Sequence, residues 1–252
     1  MTNTSGRNTA ATRSRSDSKG RPIENHLLLS APDQEFDELR PHLELVAMGL
    51  HQVLQDAGRA IDHGFFPNTG LASLLIVTGD AKSVEVGMVG NEGFIGMPLA
   101  AGIRDSAQRV IVRAAGDVFR VKSEILQTLL PEMPVLQQAL NRFLLLQGMQ
   151  VAQVAACNRL HEIEQRLARW LLMSHDRSNG EAFPITHDLL SQMLGSGRPS
   201  VTVAAGTLQR AGLIEYTRGM VRVLSRPGLE NASCECYEAI RRIVKEGAAA
   251  AK

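Results

Sequence analysis

The segment over 184–226 constrains the fold more than any other part of the chain, because short apolar stripes alternate with glycine turns within it. Thr186 suits a helix N-cap, and the apolar residues that follow it at helical spacing predict a helix over 187–194. The sequence Gly-Ser-Gly at 195–197 predicts a tight turn after that helix. The chain is therefore expected to reverse there and to place a second element against the first.

That second element is predicted to be another helix. It begins near Arg198, since Pro199 suits a first helical turn, and it runs through Arg210. Gly212 stands where helices commonly end. Two β-prone runs within 213–224 then predict a hairpin. A helix, a glycine turn, a second helix and a hairpin together make a winged helix-turn-helix.

The composition of this segment favours duplex DNA as its partner. Residues 186–226 contain five arginines and two acidic residues, although the whole chain has a formal net charge of only +1. Arginine offers paired donors to guanine and to phosphate, and the small or polar outer face of the second helix fits a major groove. The wing arginines are expected to contact phosphates. The predicted DNA contacts are Arg198, Ser200, Thr202, Ser196, Gly206, Arg218 and Arg222. The first three are ranked highest, in the order given.

The N-terminal half has a different character. Residues 1–25 lack large apolar side chains and are predicted to be a disordered basic tail. Residues 26–50 are predicted to be helical, with Phe36, Leu39, Leu43 and Val46 on one face. Turn residues then separate β-prone runs, which predict a small antiparallel roll or barrel. These runs are Leu74–Val77, Val84–Val89, Arg109–Val112 and Asp117–Val121.

A long helix is predicted over 135–158, with apolar residues on more than one side. One side can pack on the roll, and a second subunit would cover the other, which predicts a homodimer. The alternative is a helix buried within one subunit. A further helix is predicted over 161–175, and residues 176–181 form a polar loop.

The bulk composition restricts location and chemistry. Hydrophobic residues make up 44% of the chain, and no apolar run approaches the roughly 18 residues of a membrane span. We expect a cytoplasmic protein without membrane contact. Cys157 and His161 could provide two metal ligands, but a structural zinc site needs four. Cys234 and Cys236 have no second pair of ligands near them in the sequence, so no metal site is predicted. No catalytic motif is present, and we expect neither enzyme activity nor a cofactor.

The chain resembles the Crp/Fnr family of bacterial transcription regulators over about residues 26–233. The resemblance is carried by Ile185–Gly195, Arg198–Thr202, Leu208–Ile214 and Arg218-Gly219, and in the N-terminal half by Val84–Gly96. It implies an α+β chain with a cyclic-nucleotide-binding-like, cupin-like β-roll sensor domain, a long dimerisation helix and a C-terminal winged helix-turn-helix. It also implies a homodimer on an inverted-repeat operator, with RNA polymerase as a further candidate partner.

The corresponding domain boundaries are a tail over 1–25, the sensor over 26–134, the dimerisation helix over 135–160, the DNA-binding domain over 161–233 and a tail helix over 234–252. The alternative function is a signalling module that binds a small ligand or a protein without specific DNA binding.

Several positions depart from the family pattern. Pro199 and Val203 replace a glutamate and an arginine of the usual recognition helix, so the family's best-known operator is not expected. Gly93 is not followed by the glutamate that holds a cyclic nucleotide, and Ser106 stands near the place of the phosphate-binding arginine. Glu92 is interpreted as a turn residue. No cysteine precedes Cys157, which argues against an iron–sulfur cluster of the oxygen-sensing branch.

Overall fold

The structure, a computed structural model, describes residues 15–177 and 182–249. Two short helices, α1 (His26–Ser30) and α2 (Asp33–Leu39), come first, and seven strands form two antiparallel sheets ordered β1-β7-β3 and β2-β6-β4-β5. The strands are β1 (Glu44–Met48), β2 (Val53–Gln55), β3 (His63–Pro67), β4 (Leu71–Val77), β5 (Ser83–Val89), β6 (Arg109–Ala114) and β7 (Gly116–Lys122).

The predicted β-roll is confirmed, and each of the four β-prone runs lies within a strand. Side chains from both sheets form one buried apolar cluster, which includes Met48 of β1, Leu74 of β4 and Val118 of β7. The two sheets therefore pack face to face. Strands β2 and β3 were not predicted, since their runs are short or contain polar residues, and β1 was predicted to be helical.

The prediction of helix over 26–50 is wrong beyond Leu39. Residues Arg40–His42 form a 3-10 turn that contains Pro41, whose missing N–H ends helical hydrogen bonding. The next residues form β1, because they can pair with the backbone of β7, where Glu44 lies opposite Arg120. Long-range strand pairing thus overrides a local periodicity that suits a helix equally well.

The predicted disordered tail is also wrong for residues 15–25, while residues 1–14 lie outside the described part of the chain. Ile23 is buried, and the buried Asn25 caps α1 through the backbone N–H groups of Leu27 and Leu28. The guanidinium of Arg15 lies 4.7 Å from the centroid of the Phe36 ring. Sparse apolar residues anchor this segment to the sensor domain.

Helix α3 (Ser123–Leu129) leads into the long helix α4 (Pro134–Leu160), as predicted. The carboxylate of Glu35 accepts hydrogen bonds from the backbone N–H groups of Val135 (3.0 Å) and Leu136 (2.8 Å). It thereby stabilises the positive end of the α4 dipole. None of the helices in the described ranges is both long and apolar enough to cross a membrane.

The C-terminal part contains α5 (Ile163–Arg177), β8 (Ala182–Pro184), α6 (His187–Leu194), α7 (Arg198–Arg210), β9 (Ile214–Thr217), β10 (Met220–Val223), α8 (Arg226–Ala232) and α9 (Cys236–Ala249). Strand β10 pairs with β9 and also with β8, which was not predicted. The predicted polar loop over 176–181 falls mostly outside the described residues, since only its first two residues are described and both belong to α5. The helix–turn–helix and the hairpin are confirmed at the predicted positions.

Candidate nucleic-acid interface

Capping residues, a glycine turn and a shared apolar core fix the positions of α6 and α7. The Thr186 side chain accepts a hydrogen bond from the Leu189 N–H (3.2 Å) and caps α6. Gly195 ends α6 in the left-handed conformation, with φ at +56°. The inner face of α7, formed by Val201, Ala204, Ala205 and Leu208, is buried in the same apolar cluster as α6. The opposite face of α7 is therefore presented to solvent.

The solvent face of α7 carries the three highest-ranked predicted contacts. Arg198, Ser200 and Thr202 are all exposed. Val203 lies on the same side and is 63% exposed. An exposed β-branched side chain on this surface fits the methyl group of thymine. The sequence analysis considered Val203 only as the replacement of an arginine that is usual in the family. Its exposure in the structure places it on the solvent face of α7.

Arg198 is held loosely. Its Nε lies 3.2 Å from Oδ1 of Asp188, and both side chains are about two-thirds exposed, at 64% and 65%. An exposed pair of this kind contributes little to stability. The guanidinium can therefore leave the carboxylate of Asp188 and bind a base edge or a phosphate with little loss of free energy.

His187 connects the two helices to the wing. Its Nδ1 lies 3.0 Å from the Thr202 hydroxyl, and its ring stacks on Tyr216 with centroids 4.4 Å apart. Burial, together with the charge of Arg198, lowers the pKa of His187 below its ordinary value. A neutral imidazole therefore positions Thr202 at neutral pH. His187 is a positioning residue that the sequence analysis missed, because a single histidine in a helix carries no distinctive pattern.

The wing is a tight hairpin whose tip is basic. Thr217 pairs with Met220, so Arg218 and Gly219 form a two-residue turn in which both φ angles are positive, at +51° and +77°. The side chains of Arg218 and Arg222 are exposed. The structure thus exposes the side chains of both predicted wing arginines to solvent.

The other two predicted contacts are less accessible. Ser196 is half-buried, and its hydroxyl lies 3.5 Å from Nη1 of Arg166 inside the domain. Gly206 is half-buried, and a Cβ added there would approach the Arg210 guanidinium at 3.3 Å. The backbone at both positions remains close to the α7 surface.

The winged helix-turn-helix packs directly on the sensor domain. The Trp170 indole N–H of α5 donates to Oε1 of Glu85 on β5 (2.9 Å), and the Ser73 hydroxyl donates to the same carboxylate. Burial raises the pKa of Glu85 to about 7, despite these hydrogen bonds and the nearby Arg113 and Arg169. Glu85 therefore titrates near neutral pH at the junction of the two domains.

The sensor cavity differs from a phosphate-binding pocket. A cavity of about 270 Å³ between the roll and α4 is lined mainly by apolar side chains and by Gln55, Gln108 and Gln147. Among the described residues that line it there is no arginine. Ser106 is buried and receives a hydrogen bond from the Gln55 amide. Nothing in this lining replaces the charge that a cyclic phosphate requires.

Three charged residues of the sensor domain, Arg104, Arg109 and Glu92, form ion pairs within that domain or with α5. Arg104 lies 3.4 Å from Glu124, and Arg109 lies 2.8 Å from Asp56. Burial alone would raise the pKa of Glu92, but the Arg177 guanidinium at 2.8 Å holds it below its ordinary value. Glu92 also accepts a hydrogen bond from the Gly90 N–H (3.1 Å), in agreement with its interpretation as a turn residue.

Comparisons with known proteins agree with this arrangement. Residues 165–232 match the model of the Crp-like helix-turn-helix domain. No curated protein matches the sequence. A proposed transcriptional regulator of the Crp/Fnr family from Eubacterium rectale is 16% identical, with a TM-score of 0.67 over 83% of this chain and 99% of that one.

Two further solved structures share the fold. FixK2 from Bradyrhizobium japonicum is 12% identical, with a TM-score of 0.65 over 76% of this chain and 98% of that one. A CRP/FNR-family transcriptional regulator from Thermus thermophilus is 24% identical, with a TM-score of 0.57 over 75% of this chain and 98% of that one.

The fold and the exposed basic surface define a protein with a Crp-like helix-turn-helix domain over residues 165–232. The solved structures described above, each less than 25% identical, share the fold of most of the chain.

Proposed function

We propose that this protein acts as a cytoplasmic homodimer that binds an inverted-repeat operator through two copies of α7. The observation that carries the proposal is the solvent face of α7, where Arg198 and Thr202 are exposed, together with the exposed basic wing tip at Arg218 in the same domain. Such a surface fits one major groove and its flanking phosphates. RNA polymerase is the second proposed partner, because a regulator of transcription acts on that enzyme.

The exposed side of α4 supports the homodimer. Leu145 is 67% exposed and Met149 is 47% exposed, although both are large and apolar. Gly148 and Ala152 lie on the same stripe, and nothing lies within 4 Å of a Cβ added at Gly148. Small residues between large ones allow a second helix to approach closely, with the large side chains packing into the gaps.

This stripe is distinct from the one that packs inside the subunit. Leu136, Leu140, Gln147 and Val154 are buried within the subunit. The two stripes explain why the sequence of α4 is apolar on more than one side. A second copy of α4 is the proposed cover for the outer stripe, and the two recognition helices would then stand about 34 Å apart.

Hydroxyl-radical footprinting of a selected operator, combined with the mass of the complex, tests the proposal. We expect two protected segments about one helical turn apart and two protein chains per duplex. A single protected segment, or one chain per duplex at saturation, would refute the homodimer. A basic surface used for a protein partner would give no salt-dependent DNA binding at all.

A further inference from the structure

Three cysteines and one histidine meet at the end of α4. We call them the Cys-His cluster: Cys157, His161, Cys234 and Cys236. Cys157 lies in the last turn of α4 and His161 is the C-cap of that helix, whereas Cys234 lies just before α9 and Cys236 is its first residue, beyond the winged helix. The three sulfur atoms and one ring nitrogen all lie within 4.8 Å of one another, and the three thiols are free and buried.

The distances within the Cys-His cluster approach those of a tetrahedral zinc site. Bond lengths of about 2.3 Å to sulfur and 2.0–2.1 Å to nitrogen place neighbouring ligands about 3.8 Å apart for two sulfurs and about 3.6 Å for sulfur and nitrogen. Sγ of Cys157 lies 3.4 Å from Sγ of Cys234. Sγ of Cys236 lies 3.6 Å from Nδ1 of His161. The widest pair needs to close by about 1 Å.

His161 is oriented as a metal ligand rather than as a packing residue. Its Nδ1 faces the sulfur atoms, and its Nε2 lies 3.2 Å from Oε1 of Glu235. A ligating histidine commonly donates its second ring N–H to a carboxylate, which fixes the tautomer and raises the basicity of the ligand. The Gln153 amide also donates to Sγ of Cys236 at 3.0 Å, as expected beside a thiolate.

Buried positive charge lies beside the Cys-His cluster. Arg166 and Arg169 of α5 are both buried, and Arg169 interacts electrostatically with Cys157. The Nε atoms of both arginines have no hydrogen-bond partner among the described residues. Three thiolates, one neutral imidazole and a divalent ion carry a net charge of −1, which would offset part of the positive charge of the two guanidinium groups. A cluster of neutral thiols offers these cations no such counter-charge.

We propose that the Cys-His cluster binds one Zn²⁺ ion per chain as a structural Cys₃His site. Cys157 with His161, or Cys234 with Cys236, provides only two ligands, so the sequence predicts no metal site. The fold brings the two pairs together, although Cys157 and Cys234 are 77 residues apart in the chain. Four protein ligands close the coordination sphere and leave no position for a substrate. Ligand atoms this close together suit a single ion better than a cluster of several irons.

The bound ion would join the end of the dimerisation helix to the segment that follows the winged helix. The DNA-binding domain lies between these attachment points, so the ion would restrict how that domain turns relative to α4. This consequence rests on the proposed function, but metal binding itself does not. A chain that binds zinc without binding DNA would separate the two claims.

The metal content of the full-length wild-type chain provides the first test. The chain is purified under reducing conditions, treated with EDTA to remove loosely bound ions and analysed by plasma mass spectrometry. We expect one zinc per chain. Replacement by Co²⁺ should give thiolate-to-cobalt charge-transfer absorption and the intense visible bands of tetrahedral cobalt. A chain that stays free of zinc after reconstitution, or that carries a Cys157–Cys234 disulfide instead, would overturn the proposal.

Variants assign the ligands. Cys236→Ser and His161→Ala should lose the bound zinc, while His42→Ala, an exposed histidine in the sensor domain, should keep it. Glu235→Gln retains all four ligands and should bind one zinc about 10- to 100-fold more weakly. Unchanged zinc affinity in Glu235→Gln together with full occupancy in Cys236→Ser would refute the assignment. If a ligand variant does not fold, the wild-type cobalt spectrum still decides the question.

Discussion

Replacing Arg198 with alanine tests whether the solvent face of α7 recognises bases. The side chain is 64% exposed, and its only ion pair is the exposed contact with Asp188 at 3.2 Å among the described residues. Removing an exposed pair costs about 0.2–1 kcal/mol of folding stability. The variant should therefore fold and dimerise like the wild type, and any loss of DNA binding reports the interface itself.

The expected loss follows from the chemistry of the guanidinium. A bidentate contact with guanine is worth about 1–3 kcal/mol of discrimination against the wrong base. This corresponds to about 5- to 150-fold weaker binding for each half-site that loses the contact. Arg198→Lys keeps the positive charge but lacks the paired donors of the planar guanidinium. The salt dependence of DNA binding should therefore be retained, while much of the preference for the operator bases is lost.

Fluorescence anisotropy with the selected operator and with a scrambled duplex measures both quantities. Arg198→Ala should lose affinity for the operator while its affinity for scrambled DNA changes much less. Arg59→Ala, an exposed arginine of the sensor domain, is the matched control. Wild-type operator affinity in Arg198→Ala would refute the assignment of this residue to base recognition.

Three further predictions concern the wing, the dimer and the domain junction. Arg218→Ala and Arg222→Ala should each reduce the slope of log K against log salt by about 1 if they contact phosphates, measured by anisotropy at several salt concentrations. Leu145→Glu should shift the protein from dimer to monomer in analytical ultracentrifugation, because it places a charge in the outer stripe of α4. Glu85 has a folded-state pKa of about 7, above the ordinary 4.5, so the folded form binds the extra proton and unfolding free energy should fall as pH rises from about 4.5 to 7. Glu85→Gln should remove that fall in denaturant titrations.

Each of these predictions has a contradicting outcome. Wing variants with the wild-type salt slope would remove Arg218 and Arg222 from the phosphate contacts. A dimeric Leu145→Glu protein would place the subunit interface elsewhere. An unchanged pH profile in Glu85→Gln would show that another group titrates in this range. Leu50→Glu, at another exposed apolar position in the sensor domain, is the control for the dimer experiment.

The recognition elements were predictable because their signals are local. Thr186, the glycine turn at 195–197 and Pro199 each specify backbone geometry within one helical turn, and the structure places α6 and α7 where these residues require. The strand β1 was not predictable in the same way, because its pairing partner β7 lies far along the chain. Periodicity in a short apolar run cannot by itself distinguish a helix from a strand.

The Cys-His cluster illustrates the same limit for a site. Cys157 and His161 are spaced for one face of a helix, but Cys234 approaches them only after the chain has completed the whole winged helix. His187 was missed for a related reason, since its contact with Tyr216 depends on how the wing folds back. Residues whose roles depend on distant partners carry no local pattern in the sequence.

Selection of genomic DNA fragments by the purified protein at two salt concentrations tests the central claim most directly. Bound fragments are recovered, sequenced and searched for a shared motif. We predict an inverted repeat whose half-sites are about one helical turn apart, retained at the higher salt concentration while random fragments are lost. Recovery of random fragments alone, or of no DNA at either salt concentration, would contradict sequence-specific DNA binding by this chain.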